Sequence, residues 1–209
     1  MKNDNCTICR RSGIKLFLKG ERCLSPKCAA TKRTYPPGPK RKRRRGALSE
    51  FGKELREKQN LKNWYNLGER QFENYVKDIL SKKSKASDTA VLLIQKLEMR
   101  LDNAIFRLGF ASSHDQARQY ISHGHFMADN HVLTIPSYQL KLGEKISIRP
   151  ASRGKKIFEN VLVNLKKSKV PSWLKLDIEK LEGEVIGLPT LEEANPIAEI
   201  SSIFEYYSR

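Results

Sequence analysis

Residues 100–125 read RLDNAIFRLGFASSHDQARQYISHGH, and this stretch decides the fold of the region around it. Apolar residues recur at helical spacing on both sides of Gly109, as two short amphipathic helices require. Gly109 suits the end of the first helix, and Ser112 or Ser113 offers a side-chain oxygen to cap the second. The sequence therefore predicts two short helices joined by a tight turn.

The basic side chains of this stretch are expected to face outward from the helix pair. A helix pair with an apolar inner face and a cationic outer face is typical of a surface that contacts phosphates. The candidate RNA contacts in the pair are Arg100, Arg107, His114, Arg118, His123 and His125.

The same residues carry a family resemblance. The run RLDN…RLGFAS…QAR…SHGHF, followed by IPSY at 135–138, resembles the small RNA-binding domain of the S-four family of small-subunit ribosomal proteins. Other motifs are similar to that family in the same order: SEFGKELREKQ at 49–59, the N-terminal cysteines, PSWL at 171–174 and the terminal EYYSR. The resemblance therefore covers nearly the whole chain, beyond a module that several RNA-binding proteins share.

The resemblance implies a cytoplasmic, ribosome-bound structural protein of the bacterial-type small subunit. Such a protein is expected to bind the 5′ domain of small-subunit rRNA early in assembly. It is also expected to contact small-subunit ribosomal protein five and to help line the path by which messenger RNA (mRNA) enters. The alternative is a non-ribosomal RNA-binding assembly or stress factor that uses the same module.

The distribution of charge favours a nucleic-acid partner. The net charge is +17, of which residues 1–45 hold +13 and residues 100–169 hold +7, while residues 170–209 hold −5. Clustered cations predict binding of a polyanion. No apolar run is long enough for a membrane span and MKNDN does not begin a signal peptide, so no membrane partner is expected.

The cysteines of the chain are spaced C-x2-C-x13-C-x4-C: Cys6, Cys9, Cys23 and Cys28. Four thiolates satisfy one tetrahedral Zn²⁺ and leave no open position, so a single structural zinc ion is expected. Two disulfides, a redox CxxC pair and an iron–sulfur cluster are the alternatives. The cysteines match the zinc-binding form of the resembled family, although many members lack them.

A proline-containing spacer follows the cysteines and leads into a basic run that we expect to lie along rRNA phosphates. Three further cations near the end of the RNA module are also candidate contacts. The run comprises Lys40, Arg41, Lys42, Arg43, Arg44 and Arg45, and the three module cations are Arg153, Lys155 and Lys156.

Catalysis is the least favoured interpretation. Pseudouridine synthases combine a related module with an RLD-type catalytic aspartate, which Asp102 resembles. Asp102 lies inside the module's own first helix, however, and no separate catalytic domain of adequate size remains, so it is expected to act as a first-turn helix charge or to pair with a nearby arginine. No P-loop or Gly-rich dinucleotide loop appears either, and no small-molecule substrate is expected.

The expected fold class is α+β. A mainly helical body, 46–98 plus 170–209, is expected to hold an inserted module, 99–169, that contains the two-helix motif and short antiparallel strands. A zinc knuckle and basic arm occupy 1–45. The insertion follows from the resemblance, in which the C-terminal segment returns to the first helical body.

Overall fold

The computed structural model describes residues 5–39, 47–81, 86–159 and 161–208. Helices and one antiparallel sheet make up these ranges, so the predicted α+β class is confirmed. The chain divides into two compact units, Met1–Ala90 with Pro196–Arg209, and Val91–Asn195. No helix in the described ranges is long and apolar enough to cross a membrane.

The first unit is helical. Ser49 begins its longest helix, because the Ser49 side chain accepts a hydrogen bond from the Gly52 N–H. The C-terminal helix packs on this helix, and the rings of Phe51 and Tyr206 lie 5.4 Å apart. The helices are α1 Asn5–Ser12, α2 Glu21–Leu24, α3 Ala29–Lys32, α4 Glu50–Trp64, α5 Glu69–Ser81 and α12 Ile200–Ser208; α6 Ala86–Glu98 begins here and continues into the second unit.

The second unit packs helices against a five-stranded antiparallel sheet of order β2-β1-β3-β5-β4. The Asp129-Asn130 pair, of residue types that tolerate left-handed backbone, forms the turn that joins β1 to β2, and both residues have positive φ, 43° and 68°. The elements are α7 Leu101–Leu108, α8 His114–Ser122, β1 Phe126–Ala128, β2 His131–Leu133, β3 Lys145–Ile148, α9 Pro150–Arg153, α10 Val161–Lys167, β4 Leu174–Asp177, β5 Glu182–Val185 and α11 Leu191–Ala194.

Strands β4 and β5 lie in the 170–209 segment, which the sequence analysis assigned to the helical body. In the structure β5 pairs with β3, and Trp173 and Val185 are buried in the same core as the helix pair. Gly183 permits a close approach, since a Cβ at this position would overlap the Leu108 side chain. The predicted division of the whole chain into 1–45, 46–98 plus 170–209, and 99–169 stays a prediction.

Candidate nucleic-acid interface

The helix pair forms where the sequence predicts it. Gly109 ends α7 in the left-handed conformation, with φ of 90°, and its N–H bonds back to the α7 carbonyls. Ser113 caps α8, because its side chain accepts from the Gln116 N–H. The apolar faces of both helices meet the sheet, and Leu101, Ile105 and Ile121 are fully buried. The helix pair and the sheet therefore share one apolar core.

Asp102 lies beneath the surface of this pair, bound by two arginines. Its carboxylate accepts from Arg100 Nε at 3.0 Å and Nη2 at 2.8 Å, and from Arg118 Nε at 2.7 Å. Burial alone would raise the pKa of the Asp102 carboxyl, but the hydrogen bonds and charges of Arg100 and Arg118 lower it. Pairing with arginine is one of the two structural roles that the sequence analysis expected for Asp102.

Glu98 makes a second buried ion pair that sequence reasoning missed. It is 0% exposed and forms a bidentate pair with Arg107, at 2.7 and 3.0 Å. Glu98 Oε2 also accepts from Asn103 Nδ2 at 2.6 Å. Helical spacing does not predict either contact, because Glu98 ends the preceding helix α6 and lies nine residues before Arg107.

The expectation that all the basic residues of the pair face outward is wrong for three of them. Arg100 is 2% exposed, because Asp102 draws its guanidinium inward, and His114 and His125 are each 6% exposed. The His114 ring stacks on Phe106 with centroids 4.3 Å apart, and its Nε2 lies 3.0 Å from Asn103 Oδ1. An aromatic neighbour and a buried amide therefore hold His114 inside the module.

His125 is buried for a similar reason. Its Nδ1 lies 3.0 Å from Ser152 Oγ, and its ring meets the edge of Phe158 at 5.8 Å. Burial lowers the pKa of the His125 imidazole, and the charges of Lys155, His123 and Arg149 lower it further. His123, by contrast, is exposed as predicted.

Burial lowers the pKa of His114 to about 4, so we expect a neutral ring at neutral pH. Unfolded His114 takes up a proton at higher pH than folded His114. The free energy of unfolding should therefore fall by up to about 3 kcal/mol as the pH drops from about 6.5 to about 4. NMR titration of the His114 ring, assigned by the signal lost in His114→Gln, measures this pKa. Protonation near pH 6.5 would contradict the buried placement.

Four exposed cations of the second unit lie close together in the chain, just after β3. Arg149 precedes α9, Arg153 ends it, and Lys155 and Lys156 follow; we call these four residues the α9 basic surface. Arg153 is positioned by bonds from its guanidinium to the carbonyls of Ile148 and Lys180. Arg149 was missed by the sequence analysis, although it lies in the same cationic segment. The candidate contacts Lys40 to Arg45 lie outside the described residues.

The cysteines converge in the first unit. Cys6 and Cys9 lie on α1, Cys23 lies on α2 and Cys28 is the N-cap of α3. All four are free thiols that line one cavity of about 10 Å³. Burial alone would raise the pKa of the Cys28 thiol, but hydrogen bonds from Thr31 and Ala30 lower it.

The donor set of this cavity suits a structural Zn²⁺, which binds four thiolates. As placed, however, no group of three or more cysteine, histidine or acidic side chains is arranged to hold a metal ion within residues 5–39, 47–81, 86–159 and 161–208. The cavity brings the four thiols to one place without itself forming a metal site.

The matches to known proteins cover the whole chain. The Ribosomal protein S4/S9 N-terminal domain family matches residues 1–98, and the S4 domain family matches residues 99–146. Proteins named small ribosomal subunit protein uS4 are similar along nearly their full length. The Thermotoga petrophila protein is 41% identical to this chain, and the match covers 98% of this chain and 96% of the relative. The Thermus thermophilus protein is 42% identical with the same two coverages. The Caldicellulosiruptor bescii protein is 44% identical, and the match covers 98% of this chain and 97% of the relative.

Both halves of the family pattern are present in one chain and in the same order. The N-terminal domain match ends at residue 98, where α6 ends, and the S4 domain match begins at residue 99, immediately before the buried pair of Arg100 and Asp102. The chain belongs to the uS4 family of small ribosomal subunit proteins.

Proposed function

We propose that this chain is a structural constituent of the small ribosomal subunit and binds small-subunit rRNA directly. The observation that carries the proposal is similarity to uS4 proteins over 98% of this chain and 96–97% of those relatives. An S4 domain alone would support RNA binding of any kind. Its combination with the N-terminal domain of the family favours the ribosomal role over a free assembly or stress factor.

The α9 basic surface is the part of the second unit best suited to contact phosphates. Arg149, Arg153, Lys155 and Lys156 are exposed, and exposed cations neutralise phosphates and release counterions. The side chains of Arg107 and Arg118 are 21% and 24% exposed, so we retain both as candidate RNA contacts. Their ion pairs with Glu98 and Asp102 fix the orientation of the two guanidinium groups. Arg100 and His114 stabilise the helix pair from within, and His125 contacts α9 through Ser152.

We propose the finer features of the role from the family resemblance. The rRNA target is the 5′ domain, bound early in assembly, and small-subunit protein five and mRNA near the place where it enters are the neighbours. The six consecutive cations of Lys40–Arg45 lie along rRNA phosphates. These features give the chain a static, structural mechanism, since phosphate contacts position a protein while RNA shape provides selectivity.

We propose one structural Zn²⁺ at Cys6, Cys9, Cys23 and Cys28. The proposal is supported by the cavity that all four free thiols share. The helices that carry them are short, with eight, four and four residues, and such helices do not persist alone. The metal would join these helices by cross-linking their thiolates.

Binding to rRNA is tested by charge removal on the α9 basic surface. We expect Lys155→Gln with Lys156→Gln to weaken binding to a 5′-domain transcript, and to reduce the slope of log affinity against log salt by about 1 to 2. Filter binding over a salt series measures both quantities. The control pair, Lys169→Gln with Lys175→Gln, removes two exposed lysines outside this surface. Equal slopes for the two pairs would contradict the assignment.

A further inference from the structure

A cavity of about 620 Å³ opens in the first unit between α1, residues 34–36 and α4. This volume falls in the range of about 300–1,000 Å³ that is usual for small-ligand sites. Ile8, Leu48 and Leu55 provide apolar walls, so the cavity can hold a flat, partly apolar group. The role proposed above does not use this cavity.

The cavity is lined by basic residues. Arg10, Arg11 and Arg56 line it without a carboxylate among the described lining residues, whereas the fourth lining cation, Lys62, pairs with Glu69 through Nζ and Oε2 at 2.8 Å. Arg56 is held in place, since its Nη2 donates to the Ser12 carbonyl at 2.7 Å, and Arg10 Nε donates to the Tyr35 carbonyl at 3.0 Å. Cations without a matching acid favour an anionic ligand over a neutral one.

Asn60 is the most deeply buried polar residue among those that line the cavity. It lines the wall from α4 and is 1% exposed. Within the described residues, neither its Nδ2 nor its Oδ1 has a hydrogen-bond partner. A buried amide without partners is costly, so such a group in a folded protein calls for an explanation.

An amide side chain offers a donor and an acceptor side by side, which matches the paired donor and acceptor on the edge of a nucleobase. Unstacked bases in single-stranded loops and bulges are the parts of RNA that proteins recognise by hydrogen bonds to these edges. The basic lining would receive the phosphate, and the apolar walls would cover the faces of the base.

We propose that this cavity binds one unstacked nucleotide of RNA, with its base edge on Asn60 and its phosphate at the basic lining. The inference rests on the proposed rRNA-binding function and deepens it. It adds recognition of a single base to a protein whose other contacts are to phosphates.

The test uses the full chain and a transcript of the 5′ domain of small-subunit rRNA. Asn60→Leu keeps a similar volume and removes the unpartnered amide, so the variant should fold with undiminished stability. Asn74→Leu, an exposed asparagine on α5 of the same unit, is the control. Dimethyl sulfate and carbodiimide probing reports which base edges the protein covers, and thermal unfolding verifies the fold.

We expect one base to be protected by the unaltered protein and by Asn74→Leu but to become reactive with Asn60→Leu. Affinity should fall about tenfold in that variant, as for the loss of one base contact. Identical protection and affinity with Asn60→Leu would overturn this inference alone, and would show that the amide meets only water. If the unaltered protein protects no part of the transcript, the proposed function itself fails.

Discussion

Replacing Asp102 with asparagine should lower the free energy of unfolding of the second unit by about 3–5 kcal/mol. The substitution preserves size but removes the charge that pairs with Arg100, 2% exposed, and with Arg118. A buried arginine that loses the negative charge of its carboxylate partner keeps its desolvation cost, while a neutral amide oxygen offsets less of that cost. Urea unfolding followed by emission of the buried Trp173, in a Trp64→Phe background, measures the change.

Asp115→Asn is the matched control for that experiment. Asp115 is an exposed acid in the first turn of α8, and an exposed charge near a helix end contributes about 1 kcal/mol or less. If Asp102→Asn costs no more than the control, the buried pairs do not stabilise the unit. If Asp102→Asn instead retains stability and abolishes a chemical change in RNA, Asp102 is catalytic and the structural account is wrong.

Purified under reducing conditions, the chain should contain about one equivalent of zinc, and Cys9→Ser should lose it. Structural zinc contributes on the order of 10 kcal/mol in small metal-dependent modules, so the short helices of the knuckle should unfold with the metal. Metal analysis gives the stoichiometry. Hydrogen exchange should show lost protection in residues 5–32 but retained protection in α7 and α8.

Ser25→Ala is the control in the same segment. It removes an exposed hydroxyl whose described hydrogen bond is to the nearby Arg22 carbonyl. Less than half an equivalent of zinc in the unaltered protein would contradict the proposal. Iron in its place would assign the cysteines to a cluster, and full protection of residues 5–32 in metal-free protein would show that the knuckle needs no metal.

The sequence predicts the parts of the module that depend on neighbours along the chain. Gly109 and Ser113 set helix ends, and Asp129-Asn130 sets a hairpin turn, because each acts through its own backbone conformation or a nearby N–H. Apolar spacing then identifies the buried faces of the helix pair. Local rules of this kind are readable from one sequence.

The burial of Arg100 and His114 could not be predicted in this way. A charged or polar side chain on or beside a short helix is expected at the surface, and the tertiary packing that buries Asp102 together with Arg100, or sets His114 against its partners, is not visible in the local pattern. Arg107 depends on Glu98 from another helix, and His114 depends on Phe106 and Asn103 across the turn. These contacts arise from tertiary packing. The sequence therefore predicts which residues belong to the module, but it places several buried side chains at the surface.

The central claim, that the chain is a constituent of the small ribosomal subunit, is tested most directly by sucrose-gradient fractionation of cell lysate with detection of this protein. The account predicts that it migrates with small subunits at about one copy per subunit and remains with them after a high-salt wash. Recovery mainly in the free fractions, away from small subunits, would contradict the account and favour a non-ribosomal RNA-binding factor.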